Sequence, residues 1–168
     1  MKLNIGPGIS GQGDVKIDLF PFEGVNHVLD LAVEAIPYPD GYFDEAEASQ
    51  VLEHIPTQMR WFDNGWQLRF CRVELMHEIH RVLRSGGILL ASVPGVDTER
   101  GVMRWAQDPT HVDVPWILEQ FDYFCNQWGG GSENHEAAQS SGITFGFERI
   151  KHQYSDDKSV LTVWLRKP

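Results

Sequence analysis

Lys2-Leu-Asn-Ile-Gly-Pro-Gly-Ile-Ser-Gly-Gln-Gly-Asp-Val-Lys-Ile-Asp18 decides how this chain is read. Leu3 to Ile5 predicts a short buried strand, and Val15 to Ile17 a second one ending at Asp18. Between them Gly6, Gly8 and Gly11 follow a G-x-G-x-x-G pattern. Glycines at the carboxyl end of a strand let the backbone turn sharply and let a ligand approach without Cβ atoms in the way. An acid at the tip of the next strand is where ribose hydroxyls are held. The combination reads as a nucleoside-binding site. Only Gln12, Gly13 and Asp14 separate Gly11 from the second strand, too few for a helix. No helix N-terminus is then available to hold phosphates, so the loop suits a phosphate-free nucleoside better than NAD.

A chain of 168 residues, 42% apolar and 23% charged, is expected to be one globular domain spanning residues 1–168 with a real core. No apolar run reaches the roughly 18 residues of a membrane helix, and Met1 leads straight into the first strand, so neither a membrane span nor a signal peptide is expected. Cys71 and Cys125 match no metal or redox spacing and read as reduced thiols of a cytoplasmic protein. A formal charge of −10 disfavours a broad phosphate-binding surface and makes nucleic acid an unlikely partner.

Further along, Val25 to Leu31 predicts a third strand, and the Pro37 and Pro39 segment lies outside the sheet. Phe43 to Ser49 predicts a fourth strand of unusual polarity. From Gln67 to Arg84 the period is helical, with Leu68, Cys71, Leu75, Ile79 and Val82 on one stripe and Gly86 or Gly87 as its stop. Ile88 to Val93 is apolar throughout, as expected of a buried parallel strand. Asp97 to Val114 shows no clear period. A second helix is expected from about Asp113 or Val114, started by Pro115, with Ile117, Phe121 and Phe124 buried. Asn126 to Gly142 is glycine-rich and expected to be mobile. Thr144 to Gln153 and Val160 to Leu165 read as an antiparallel hairpin whose last strand is interior.

Four of these stretches together resemble class I S-adenosylmethionine-dependent methyltransferases, in a compact branch whose first helix is replaced by a short loop. They are Lys2-Leu-Asn-Ile-Gly-Pro-Gly8, Lys16-Ile-Asp18, Ala35 to Asp44 with Val51-Leu-Glu-His-Ile55, and Leu75 to Leu90. The resemblance implies a Rossmann-like, doubly wound, mostly parallel α/β sheet with an antiparallel C-terminal hairpin and strand order 3-2-1-4-5-7-6. It implies S-adenosylmethionine as cofactor, with S-adenosylhomocysteine as product, and a small-molecule or saccharide-like methyl acceptor. Cofactor contacts are then expected at Asn4, Gly6, Pro7, Gly8, Asp18, Leu19, Asp30, Leu31, Gln50 and Val51. Asn4 stands where the family usually has an acid, and Pro7 sits inside the loop. Asp30 is placed to meet the adenine amino group or to serve only as a turn acid.

The chemistry itself names no residue, because the cofactor carries the reactive group and the protein mainly aligns the acceptor. His54 and His111 are candidate general bases, or structural histidines. Asp108-Pro-Thr-His111 is the one compact polar cluster after the fifth strand, so Asp108 and His111 are candidates to bind or deprotonate the acceptor. Trp105 and Trp116 flank it. His77 and His80 lack zinc-protease spacing, and no metal site is expected. Two alternatives stay open: a non-catalytic cofactor- or partner-binding domain, and an NAD-binding oxidoreductase.

Overall fold

The computed structural model describes residues 1–62, 64–125 and 142–168. In chain order the strands are β1 (Lys2–Ile5), β2 (Val15–Asp18), β3 (His27–Val28), β4 (Phe43–Ser49), β5 (Met59–Phe62) and β6 (Trp66–Arg69). Helix α1 (Cys71–Val82), strand β7 (Leu83–Pro94), helices α2 (Glu99–Gln107) and α3 (Leu118–Asp122), and strands β8 (Glu148–Tyr154) and β9 (Val160–Arg166) follow. Seven strands form one sheet in the order β3-β2-β1-β4-β7-β9-β8, while β5 and β6 pair separately. The first five run parallel and β9 is antiparallel to both β7 and β8. This is the expected order, with the last strand of the chain inside the sheet. No helix among the described residues is long and apolar enough to cross a membrane.

The parallel centre is built from apolar residues that meet in register. Leu3 pairs with Val15 and Ala46, and Ile5 with Ile17 and Ala48; all six are buried. The polarity of β4 has a simple cause. Its buried positions are Phe43, Ala46 and Ala48, while Glu47 meets the Lys2 ammonium at 2.5 Å and Asp44 meets Arg84 at 2.5 Å. With no helix after β1, the loop itself covers that strand. The Asn4 side chain donates to the Gln12 carbonyl and is only 4% exposed.

Several boundaries differ from the sequence reading. The third strand shrinks to His27–Val28, because Asp30 begins a turn through hydrogen bonds to Ala32 and Val33. The long helix begins at Cys71, not Gln67: Trp66 to Arg69 pairs with Met59 to Phe62, and Leu68 is exposed. The turn between them carries Asn64 and Gly65 with φ of 52° and 142°. Asn-Gly is a strong hairpin signal, masked here because Leu68 shares a helical stripe with Cys71 and Leu75.

Helix α1 also ends earlier, with Leu83 already extended. Gly86 has φ of 75°, yet it belongs to the irregular start of β7, not to a helix cap. The last carbonyls of α1 are instead satisfied by Lys167, whose Nζ donates to His80 and Leu83 at 2.8 Å each. The segment after β7 contains α2, capped by Thr98 Oγ1, which accepts from the Gly101 amide. The later helix starts at Leu118; Ile117 is extended and exposed, while Phe121 and Phe124 are buried as expected. The β8 strand begins at Glu148 and not at Thr144. The expected mobile stretch lies outside the described residues except for Gly142.

In the last turn of α1, His80 packs its ring against Phe145 and Phe147, with centroids 5.2 and 4.9 Å away. Burial, reinforced by the Lys167 charge, lowers its pKa from 6.5 to about 4. The unfolded chain therefore binds the proton more readily than the folded one. The neutral ring's contribution is complete above pH 6.5 and is lost as the pH falls toward 4. Urea midpoints of wild type should drop across that interval, and His80→Gln should drop less. Parallel pH profiles for the two proteins would contradict this assignment.

Candidate active site

Parallel sheets place their ligands outside the strands' carboxyl ends, and that is where this chain forms a cleft of about 510 Å³. Its walls come from the loop after β1 (Gly6, Gly8), the exit of β2 (Asp18, Leu19, Phe20), the turn after β3 (Asp30, Leu31) and the exit of β4 (Gln50, Val51, His54). Met59 from the β5–β6 hairpin and Thr110 complete it.

The loop geometry explains the glycines. Gly6 and Gly8 have φ of 62° and 55°. A Cβ on Gly6 would stand 2.3 Å from Val51 Cγ2, so the loop and the β4 exit touch at a point where only hydrogen fits. Residues 8–10 form a turn and no helix intervenes before β2. Asp18 is buried and bonded from two sides: its Oδ2 accepts from the Gly8 amide and its Oδ1 from the Phe20 amide, each at 3.0 Å. Each oxygen keeps a further lone pair for a ligand. Gln50 holds the left-handed conformation, with φ of 53°, while its amide donates to the Ser92 carbonyl at 2.8 Å. A non-glycine residue in that region is a local strain and is found disproportionately at functional sites.

A second cavity of about 340 Å³ adjoins the first and shares Gln50 and His54 with it. Its other walls are Glu53, Pro94, Asp108, His111, Ser159 and Val160. His111 gives its Nδ1–H to the Trp105 carbonyl at 2.8 Å, which aims Nε2 at Asp108 Oδ2, 3.7 Å away, and Glu53 Oε1, 4.0 Å away. Trp105 stacks on the His111 ring and Trp116 is a core residue that donates to the Leu52 carbonyl, so neither indole lines the cavity. His54 gives Nδ1–H to the Thr110 carbonyl at 3.2 Å and lies 4.9 Å, ring to ring, from His111. The Thr110 hydroxyl and amide both donate to Asp108, which keeps that carboxyl below its ordinary value. Glu53 behaves oppositely: burial is the main cause that pushes its pKa up to about 7, and the Asp108 charge adds to it.

Of the residues expected from sequence, Gly6, Gly8, Asp18, Leu19, Asp30, Leu31, Gln50, Val51 and His54 converge on the first cleft. Asp108 and His111 converge on the second. Asn4 and Pro7 line neither; they shape the loop, Asn4 through Gln12 and Pro7 through its carbonyl, which accepts from the Gly11 amide. Glu53, Phe20, Met59 and Thr110 are additions. Met59 was hidden with its hairpin, and Glu53 shows no sequence sign beyond being a carboxylate among Leu52 and Ile55.

A methyltransferase-domain family model matches residues 18–91. Residues 18–91 thus match a methyltransferase domain, and the sheet has the strand order of the class I S-adenosylmethionine-dependent methyltransferase fold. The chain is 31% identical over 97 residues to the sarcosine/dimethylglycine N-methyltransferase of Halorhodospira halochloris, a match covering 55% of this chain and 30% of that protein. The matched region is thus under a third of that relative. Its fold is similar to that of a SAM-dependent methyltransferase from Archaeoglobus fulgidus, with a TM-score of 0.62 at 16% identity, covering 99% of this chain and 85% of that one. It is also similar to Burkholderia thailandensis 1,6-didemethyltoxoflavin-N1-methyltransferase, solved with 1,6-didemethyltoxoflavin and S-adenosylhomocysteine, with a TM-score of 0.57 at 15% identity over 99% and 70% of the chains. The family uses S-adenosylmethionine, and the turn at residues 8–10 gives NAD no phosphate-binding helix.

The two loop glycines should respond differently to alanine. Both pay for the left-handed backbone, about 1 kcal/mol each, but only Gly6→Ala also meets Val51. Gly6→Ala should therefore lower stability by about 2 kcal/mol or more, and Gly8→Ala by about half that. Chemical denaturation of the two variants checks the order, and equal losses would mean that Val51 yields freely.

Proposed function

We propose that this methyltransferase domain, residues 1–168 acting as one unit, transfers a methyl group from S-adenosylmethionine to an amine or hydroxyl of a small or saccharide-like molecule. The observation that carries the reading is the junction of two cavities at Gln50 and His54, one lined by the glycine loop and Asp18, the other by polar groups. When bound, the cofactor supplies an electrophilic methyl on a sulfonium; the chain's residues bind, orient and exclude water. Asp18 takes the ribose hydroxyls. Asp30 faces the adenine amino group, with Leu19 and Leu31 beside the ring. Gln50 and Val51 meet the methionine part.

Asp108 and His111 hold the acceptor on the far side of Gln50. Carboxylates and a neutral imidazole lone pair accept hydrogen bonds, so the pocket favours an acceptor rich in N–H or O–H donors. A relative named for sarcosine and dimethylglycine makes small amines the first acceptors to try.

The cofactor half is tested at Asp18. Asp18→Ala removes charge-assisted hydrogen bonds and should weaken S-adenosylhomocysteine binding by roughly 30- to 150-fold, about 2–3 kcal/mol. Since this carboxylate also holds the Gly8 and Phe20 amides, some folding stability will go with it, and calorimetry should be run well below the variant's midpoint. Unchanged affinity would move the cofactor elsewhere. Wild type should bind S-adenosylhomocysteine and ignore NAD.

The acceptor half is tested at His111. With an acceptor found from an amine and sugar panel, His111→Ala should lower turnover and leave S-adenosylhomocysteine affinity intact. Full turnover in that variant would remove His111 from the acceptor site, and no turnover of wild type on any acceptor would favour a binding-only domain.

A further inference from the structure

The second cavity poses an electrostatic problem. With Nδ1 turned to the Trp105 carbonyl, Nε2 of His111 faces Asp108 Oδ2 at 3.7 Å and Glu53 Oε1 at 4.0 Å. Three such acceptors facing one another call for positive charge among them, which a proton on Nε2 or a bound cation supplies. Glu53 is 1% exposed and its Oε2 has no hydrogen-bond partner. The buried Arg72 donates through Nε and Nη2 to the carbonyls of Ile55, Val112 and Val114, and no ion pair joins it to Glu53 among the described residues. One potential ligand atom from each of Glu53, His54 and His111 lies within 4.8 Å of the other two. Both imidazoles give one nitrogen to a backbone carbonyl, His54 to Thr110 and His111 to Trp105. Such outer bonds fix the ring and tautomer of metal-ligating histidines.

We propose that Glu53, His54 and His111 form a divalent-cation site of the two-histidine, one-carboxylate type, with Asp108 at its rim. The donor set suits a first-row ion such as Zn²⁺. Tetrahedral zinc ligands stand about 3.4 Å apart, so the three donor atoms close by roughly 1 Å, within the reach of side-chain rotation. The sequence gives no hint of it, because His111 reaches the Glu53-His54 pair only through the fold. On the reading of this cavity as the acceptor pocket, the cation would hold an acceptor's hydroxyl oxygen and acidify it, leaving that oxygen a lone pair for the methyl. His111 would then act on the acceptor through the ion. The binding site itself does not depend on that reading.

The test is a titration of the metal-stripped, tag-free chain with Zn²⁺ by calorimetry and with Co²⁺ by visible absorption. One equivalent should bind, with ligand-field bands for Co²⁺. His111→Ala and Glu53→Gln should each weaken binding at least about 100-fold, and Asp18→Ala should not. If Glu53→Gln does not fold, His111→Ala decides alone. No stoichiometric binding by wild type, or undiminished binding by His111→Ala, overturns the site. Failure of metal binding alongside normal methyl transfer would overturn the cation and leave the acceptor pocket standing. Retained metal binding without turnover on any acceptor would uphold the cation and count against the pocket.

Discussion

The cleft depends on one carboxylate bonded from two sides. Asp18 ends β2, yet its oxygens accept from the Gly8 amide in the preceding loop and from the Phe20 amide in the following one. Loops without a helix have no internal hydrogen-bond ladder to hold them. Here a buried anion replaces that ladder, and the glycine loop is positioned by a side chain it does not itself contain. The arrangement is compact because Gly6 brings the loop against Val51 with no Cβ between them. Both contacts are local to the strand tips, so the cleft is set by the sheet and needs no helix.

How much of this is legible in the chain varies with the range of the forces involved. The strands β1, β2, β7 and β9 are readable because buried strands leave continuous or alternating apolar runs, and the sheet order followed from the resemblance to a known family. Gln67 to Arg69 of β6 read as the start of a helix although Asn64-Gly65 marks a hairpin turn, since Leu68 fits a helical stripe by coincidence and is in fact exposed. Helix α2 escaped notice because Val102 and Met103 face solvent, which blurs the period. Asp18 stands out as an acid at a strand end, and Asp108 and His111 as a compact polar cluster in the segment after β7. Glu53 could not: what distinguishes it is desolvation, a property of the packed surroundings and of no neighbouring residue.

The two cavities meet at a residue under strain. Gln50 adopts a left-handed backbone at the exit of β4 and lines both spaces. Its amide is tied to Ser92 on β7, so the strain is fixed by the sheet ladder beside it. The wall between the cavities is thus tied directly to the sheet. The walls of the second cavity come from residues 50–54, 94–111 and 159–160, far apart along the chain, whereas most of the first lies within residues 6–59.

The position of β9 has a consequence for how the chain is made. Its residues are synthesised more than sixty positions after β7 ends, yet they sit between β7 and β8, and Lys167 just beyond them finishes the open end of α1. While the first ninety or so residues emerge, β7 has a bare edge and α1 an uncapped terminus. Unpaired strand edges are the sites at which nascent chains misassociate. The sheet cannot be completed on the ribosome before residue 166 has cleared the exit tunnel, so the edge of β7 stays open until β9 inserts beside it.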